Sequence, residues 1–276
     1  MSIGQSNKGL PIVVRPTGTH RLDLPERGCN SRVHLSEDGR TVLKSPSLFS
    51  CEGCDEKTTE RMRYLEEDSA MLISREAEIY RHLGSHEGIL PCLEISAEGL
   101  IFPYMKNGSL RTYLRTRKGE IDSSMRMRWA RAAVSSLVYI HSKGVLQGDV
   151  SAKNILVADD LSLLLHDFAG SALGDLSASV LPESRYWKQN VADRWDVTAA
   201  TETFAIGSLL YEISTGTLVY EDIEDSDSIE ALFRQDIFPP TADIMLGDVI
   251  EKCWMGHFET SSQVLDAIEV AVSQES

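Results

Sequence analysis

The chain has 276 residues, 42% of them hydrophobic and 25% charged, a composition ordinary for a globular protein of one large domain or two modest ones. Its 27 Lys and Arg against 42 Asp and Glu give a net charge of −15, which argues against general binding to nucleic acid or anionic membrane, because phosphate-rich surfaces would be repelled. No apolar run approaches the roughly 18 residues of a membrane span, the N-terminus lacks the apolar core of a secretion signal, and the 5 cysteines are an odd number in a chain long enough to fold without staples, so a cytoplasmic or nuclear, reducing compartment is expected.

Residues 1–20 show no clear periodicity and read as a tail or a first short strand. Arg32 to Leu35 and Thr41 to Lys44 flank Glu37-Asp38-Gly39-Arg40, where Asp-Gly predicts a tight hairpin turn. Residues 46–67 are polar and acidic and read as a solvated insertion. A helix is predicted over 68–84, with Leu72, Glu76, Ile79 and Leu83 on one face. Pro91 to Ser96 and Leu100 to Tyr104 read as a strand–turn–strand around Ala97-Glu98-Gly99. After Lys106-Asn107-Gly108 the pattern becomes helical, at 109–116 and 124–142. Two apolar strands, 155–157 and 161–166, are joined by Ala158-Asp159-Asp160, and helical patterns return near 201–214, 227–235, 244–255 and 262–273. Strands segregated from helices imply an α+β architecture, with a cleft between the two parts as the expected ligand site.

The segment 145–170 concentrates oxygen ligands: Asp149, then Asn154, then Asp167. The strand–turn–strand between them would fold back and return Asp167 to the neighbourhood of Asn154. One or two carboxylates with an amide oxygen suit Mg²⁺, and a further carboxylate can orient a hydroxyl and accept its proton. Positioning and charge neutralisation of this kind are most of what phosphoryl transfer requires.

This segment resembles the catalytic loop and metal-binding motif of the eukaryotic protein kinases. Gln147-Gly148-Asp149…Asn154 matches H-R-D-x-x-x-x-N, and Asp167-Phe168-Ala169 matches D-F-G. The resemblance implies Asp149 as catalytic base, with Asn154 and Asp167 holding Mg²⁺. Thr41-Val42-Leu43-Lys44 is similar to V-A-I-K, which makes Lys44 the ligand of the ATP α- and β-phosphates and adds Val42 to the nucleotide site. Glu76, a carboxylate on the apolar helix face, is the expected partner of Lys44 in preference to Glu78. Gly28 is the one glycine kept from the phosphate-covering loop, in Glu26-Arg27-Gly28-Cys29-Asn30-Ser31-Arg32-Val33, and Val33 would cover the adenine. Leu100 to Leu110 resembles the hinge, with Phe102 guarding the adenine pocket and the Pro103 and Met105 backbones bonding the adenine edge. Residues 201–212 are similar to the buried helix of the kinase C-lobe, with Glu202 where the family usually has Asp. The catalytic loop, Asp167 to Ser171 and Trp195-Asp196-Val197-Thr198 resemble small kinase-like proteins of filamentous fungi.

The implied fold is a bilobal protein kinase-like α+β structure: a tail at 1–20, a β-rich N-lobe with one helix at 21–102, a hinge at 103–108 and a helical C-lobe at 109–276. The implied function is transfer of the γ-phosphate of Mg-ATP to a protein hydroxyl, Ser or Thr before Tyr. Two other readings stay open: a pseudokinase scaffold that binds nucleotide without turnover, and a small-molecule phosphotransferase of the aminoglycoside or choline kinase type. Gln147 in place of His is expected to loosen the loop under the metal site. The absence of an A-P-E motif around Tyr186-Trp187-Lys188 is expected to weaken the substrate platform. Ser151 stands where serine/threonine kinases carry Lys, and Lys153 resembles the basic residue of tyrosine kinases. Cys51-Glu52-Gly53-Cys54 reads as two thiols in an acidic loop, with zinc or redox chemistry as the minor alternatives. His141 is expected to cap the end of the long helix.

Overall fold

The computed structural model describes residues 10–22, 31–187 and 197–275. The chain divides into two compact units, Met1–Tyr80 with Pro91–Tyr104 and Arg81–Leu90 with Met105–Ser276.

In the first unit β1 (Ile12–Val13) precedes β2 (Thr19–Arg21), β3 (Ser31–Ser36), β4 (Thr41–Pro46) and β5 (Phe49–Ser50). Helix α1 (Glu56–Leu83) and strands β6 (Glu94–Ile95) and β7 (Leu100–Pro103) follow. The main sheet has the order β2-β3-β4-β7-β6, antiparallel throughout, and β1 pairs with β5. The expected hairpin is present: Asp38 accepts from Arg40 N at 2.9 Å and from Ser36 Oγ at 2.6 Å across the Asp-Gly turn. The solvated insertion is not. Residues 46–67 hold β5 and the first three turns of α1, which is 28 residues long and begins at Glu56. Its start is set by Asp55, whose carboxylate accepts from Thr58 N at 2.7 Å. The polar, Glu- and Arg-rich sequence there forms a helix with exposed sides, so it carries no apolar period to read. Ser69 Oγ accepts from Ser47 N at 2.8 Å, and Glu66 Oε1 accepts from Phe49 N at 2.6 Å, tying the strand segment to α1.

The second unit contains α2 (Leu110–Thr116), α3 (Ser123–Ser142), β8 (Val145–Leu146), β9 (Ile155–Val157), β10 (Leu163–Leu165), β11 (Ala172–Leu173), α4 (Ala199–Thr215), α5 (Ser226–Arg234), α6 (Gly247–Trp254) and α7 (Ser261–Glu275). Side-chain caps from Ser109, Asp122 and Asp225 begin α2, α3 and α5, and Thr198 and Thr201 cap α4 reciprocally. The predicted stripe of α3, Trp129, Ala133, Leu137 and Ile140, is buried. Helix α4 is buried on nearly every side, so apolar residues occur all round it, and its buried Glu202, Ser208 and Glu212 are each hydrogen-bonded. Trp254 of α6 donates to Ser208 of α4 at 3.1 Å, satisfying a buried indole. No helix among the described residues is long and apolar enough to cross a membrane.

Candidate active site

In the first unit, β4 carries Lys44, and strand register fixes its neighbours. Val33 pairs with Lys44, Leu35 with Val42, and Val42 with Phe102. Partners opposite one another project to the same side of a sheet, so Val33, Val42, Lys44 and Phe102 share a face. Lys44 Nζ lies 2.6 Å from Glu76 Oε2, with the two side chains 10% and 1% exposed. A carboxylate this buried requires such a cation. Glu78, the other candidate, is exposed. Phe102 is buried with its ring centroid 5.1 Å from that of Tyr80. Pro103 ends β7 opposite Thr41. The turn before β7 presses on the Lys44 backbone: a Cβ on Gly99, which has φ +143°, would lie 2.1 Å from the Lys44 carbonyl oxygen. Gly28 lies outside the described residues, as do Lys188, Trp195 and Asp196.

In the second unit, the antiparallel pair β9–β10 folds the segment after Asn154 back on itself. Its ladder is extended by His166 N, which donates to Asn154 O at 3.0 Å. Asp167 follows at once, with φ +62°, a left-handed backbone that Asp tolerates better than most residues. The Asn154 amide NH₂ donates to the Asp149 carbonyl at 2.8 Å and to Asp149 Oδ2 at 3.0 Å, so its amide oxygen is the atom left for a cation. Lys153 Nζ also sits 3.0 Å from Asp149 Oδ2. The other carboxylate oxygen, Asp149 Oδ1, is buried and has no hydrogen-bond partner among the described residues. Burial raises the Asp149 carboxyl above the ordinary carboxylate range, and Lys153 offsets only part of that rise.

The loop is held from below. Gln147 Nε2 donates to the carbonyls of His166 at 3.0 Å and Asp167 at 2.9 Å, so Gln147 ties the two segments together instead of loosening them. Gly148 N donates to Glu202 Oε1 of α4 at 2.6 Å, fixing the backbone one residue before Asp149. His141 does not cap α3 as expected. Its Nε2 bonds Glu202 Oε2 and its Nδ1 bonds Ser261 Oγ at 2.8 Å, joining α3, α4 and α7 beneath the loop.

A chain of charges continues from Lys153. Its ammonium lies 3.2 Å from Glu183 Oε1. Arg111 of α2 binds both Glu183 oxygens, at 2.9 and 3.0 Å, and Glu212 of α4 at 2.9 Å. Arg111 also donates to the Tyr186 hydroxyl at 3.0 Å, and Tyr186 donates to Glu212. Burial opposes the Glu183 charge, but Arg111 and Lys153 win and hold its carboxyl below the usual range. Burial raises the Glu212 carboxyl, against the pull of Arg111. So the segment expected to be weak for want of A-P-E is anchored by a buried guanidinium with two carboxylates and a phenol. Sequence reading missed Arg111, Glu183 and Glu212. Two signals were present: Arg111 lies on the inward face of α2 between Leu110 and Leu114, and Glu212 interrupts an apolar run.

A model of the family described as protein tyrosine and serine/threonine kinase matches residues 57–266. The chain is 28% identical over 75% of its length to Tyrosine-protein kinase SPK-1 of Girardia tigrina, covering 42% of that protein. It is similar at 28% identity over 55% of its length to MAP3K epsilon protein kinase 1 of Brassica napus, covering 12% of it. It is 29% identical over 51% of its length to Cell division control protein 7 of Schizosaccharomyces pombe, covering 13% of it. The chain thus spans less than half the length of these curated relatives.

Proposed function

The chain belongs to the protein tyrosine and serine/threonine kinase family, and from that premise we propose that it transfers the γ-phosphate of Mg-ATP to a protein hydroxyl, serine or threonine in preference to tyrosine. The observation that carries this reading is Asp149: one carboxylate oxygen is held by Lys153 and Asn154, and the other, buried, has no partner among the described residues. An acceptor so placed is suited to orient a hydroxyl and take its proton. Lys44, charged and fixed by Glu76, would bind the α- and β-phosphates, while Val33, Val42, Phe102, Pro103 and Met105 would form the adenine site. Asn154 and Asp167 offer the hard oxygen donors that Mg²⁺ prefers, so the donor set fits that ion. Bound there, magnesium would neutralise phosphate charge as the phosphoryl group transfers. The remaining work falls to this chain's own groups. Gln147 and Glu202 hold the loop backbone, Lys153 fixes the Asp149 carboxylate, and Asp149 accepts the proton.

The test is to offer Mg-ATP to the full chain with degenerate peptides carrying Ser, Thr or Tyr, and in parallel with amino alcohols and aminoglycosides, and to locate the transferred phosphate by mass spectrometry. Phosphate on peptide hydroxyls, Ser and Thr ahead of Tyr, is expected. Phosphate only on the small molecules, or nucleotide binding with no transfer to any acceptor, would overturn the reading.

A further inference from the structure

Between β5 and α1 the chain turns through Cys51-Glu52-Gly53-Cys54. Cys54 N donates to Cys51 O at 3.0 Å, closing a four-residue turn. Gly53, third in that turn, has φ +80°, a conformation glycine adopts without strain. Both cysteines are free thiols, and both are half-buried, so small reagents reach them. The turn is clamped at both ends: Phe49 N donates to Glu66, at 2.6 Å, and Asp55 caps α1 through Thr58 N, at 2.7 Å. The backbone that carries both cysteines is therefore folded into one closed turn and fixed on either side.

We propose that Cys51 and Cys54 form a reversible intramolecular disulfide by exchange with a low-molecular-weight disulfide of the oxidised glutathione type, which makes this turn a dithiol redox site. Cys51, as thiolate, attacks one sulfur of the small disulfide. That S–S bond breaks, and one small thiolate leaves. Cys54, as thiolate, then attacks the Cys51 sulfur of the mixed disulfide, the Cys51–Cys54 bond forms, and the second small thiolate leaves. The two protons lost by the cysteines end on the two released thiols, and the two electrons pass from the cysteine pair to the small disulfide. Cys54 is assigned the second attack because burial first, and then Cys51 and Asp55, hold its thiol above the ordinary value, which leaves little thiolate to start the exchange. Zinc is the competing use of such a pair, but it needs further ligands. Among the described residues no group of three or more His, Cys, Asp or Glu side chains is placed to hold a metal. Cys253 is buried in the other unit.

The test uses the reduced, folded full chain and oxidised glutathione, followed by alkylation of remaining thiols, digestion and mass spectrometry of the peptide spanning Ser45 to Lys57. The peptide is expected to lose two hydrogen atoms, and dithiothreitol is expected to restore them. Pre-placement of the thiols should make this at least about tenfold faster in the folded chain than in urea. Cys54→Ser should instead accumulate glutathione on Cys51. Stable glutathione on both cysteines of the wild type, both thiols alkylated, equal rates in folded and unfolded chains, or a bridge to Cys29 or Cys92 would each overturn the proposal.

Discussion

Lys44 and Glu76 sit 2.6 Å apart with the carboxylate almost wholly out of water, so each is more costly alone than together. Removing one partner of a buried pair strands the other charge. Lys44→Met is therefore expected to destabilise the chain by about 3–5 kcal/mol, and Lys44→Met with Glu76→Gln by less, as read by urea unfolding. Equal losses in the single and double variants would contradict the pairing. Glu183 gives a pH test. Its carboxyl is held below the ordinary glutamate value of 4.5 by Arg111 and Lys153, against the opposing effect of burial. A carboxyl depressed on folding stabilises the fold above its unfolded value, and that stability is lost as pH falls through the folded one. Glu183→Gln should thus cost about 1.5–3 kcal/mol at neutral pH, and the difference from wild type should shrink as the pH is lowered below 4.5. A difference that grows toward acid would refute the assignment. The Lys44–Glu76 contact was legible because an acidic residue recurred at an apolar helical position. The Arg111 network was not, because its members lie up to 101 residues apart in sequence, and no local period links them.

Helix α1 shows what local pattern misses. Its last turns have a clear apolar face, and that portion was readable from 68 onward. Its first turns are solvated, so the helix is specified there by the Asp55 cap and by residues of good helical propensity, signals weaker than periodicity. The β3–β4 hairpin and the return of β10 along β9 were both legible, since Asp-Gly and Ala-Asp-Asp each interrupt short apolar runs. The turn before β7 is a further point of control. Gly99→Ala places a methyl group 2.1 Å from a backbone oxygen of Lys44, at a φ of +143° that L side chains rarely adopt. The variant is expected to lose about 1–3 kcal/mol of stability. Because the collision is at Lys44, its KM for ATP should rise. An unchanged KM in a folded Gly99→Ala protein would show that this turn does not position Lys44.

Charge acts over the whole molecule. With −15 net, the chain attracts cationic segments and repels phosphate-rich ones. Peptides with Lys and Arg around the acceptor should be phosphorylated with higher kcat/KM than acidic ones, and the ratio should fall as salt shortens the Debye length to about 8 Å at physiological ionic strength. A ratio independent of salt would remove the long-range contribution. Family and fold class were legible because the kinase motifs lie on contiguous segments. What the protein acts on was not, because no contiguous segment encodes an acceptor, and the chain covers 42% or less of these three relatives.

The decisive measurement is single-turnover phosphoryl transfer to peptide by wild type and Asp149→Asn, with ATP affinity measured in the same two proteins. If Asp149 takes the hydroxyl proton, transfer should fall at least about a hundredfold while ATP binding stays within about threefold, since the base acts on the acceptor and not on the nucleotide. Equal transfer rates in the two proteins would contradict the account.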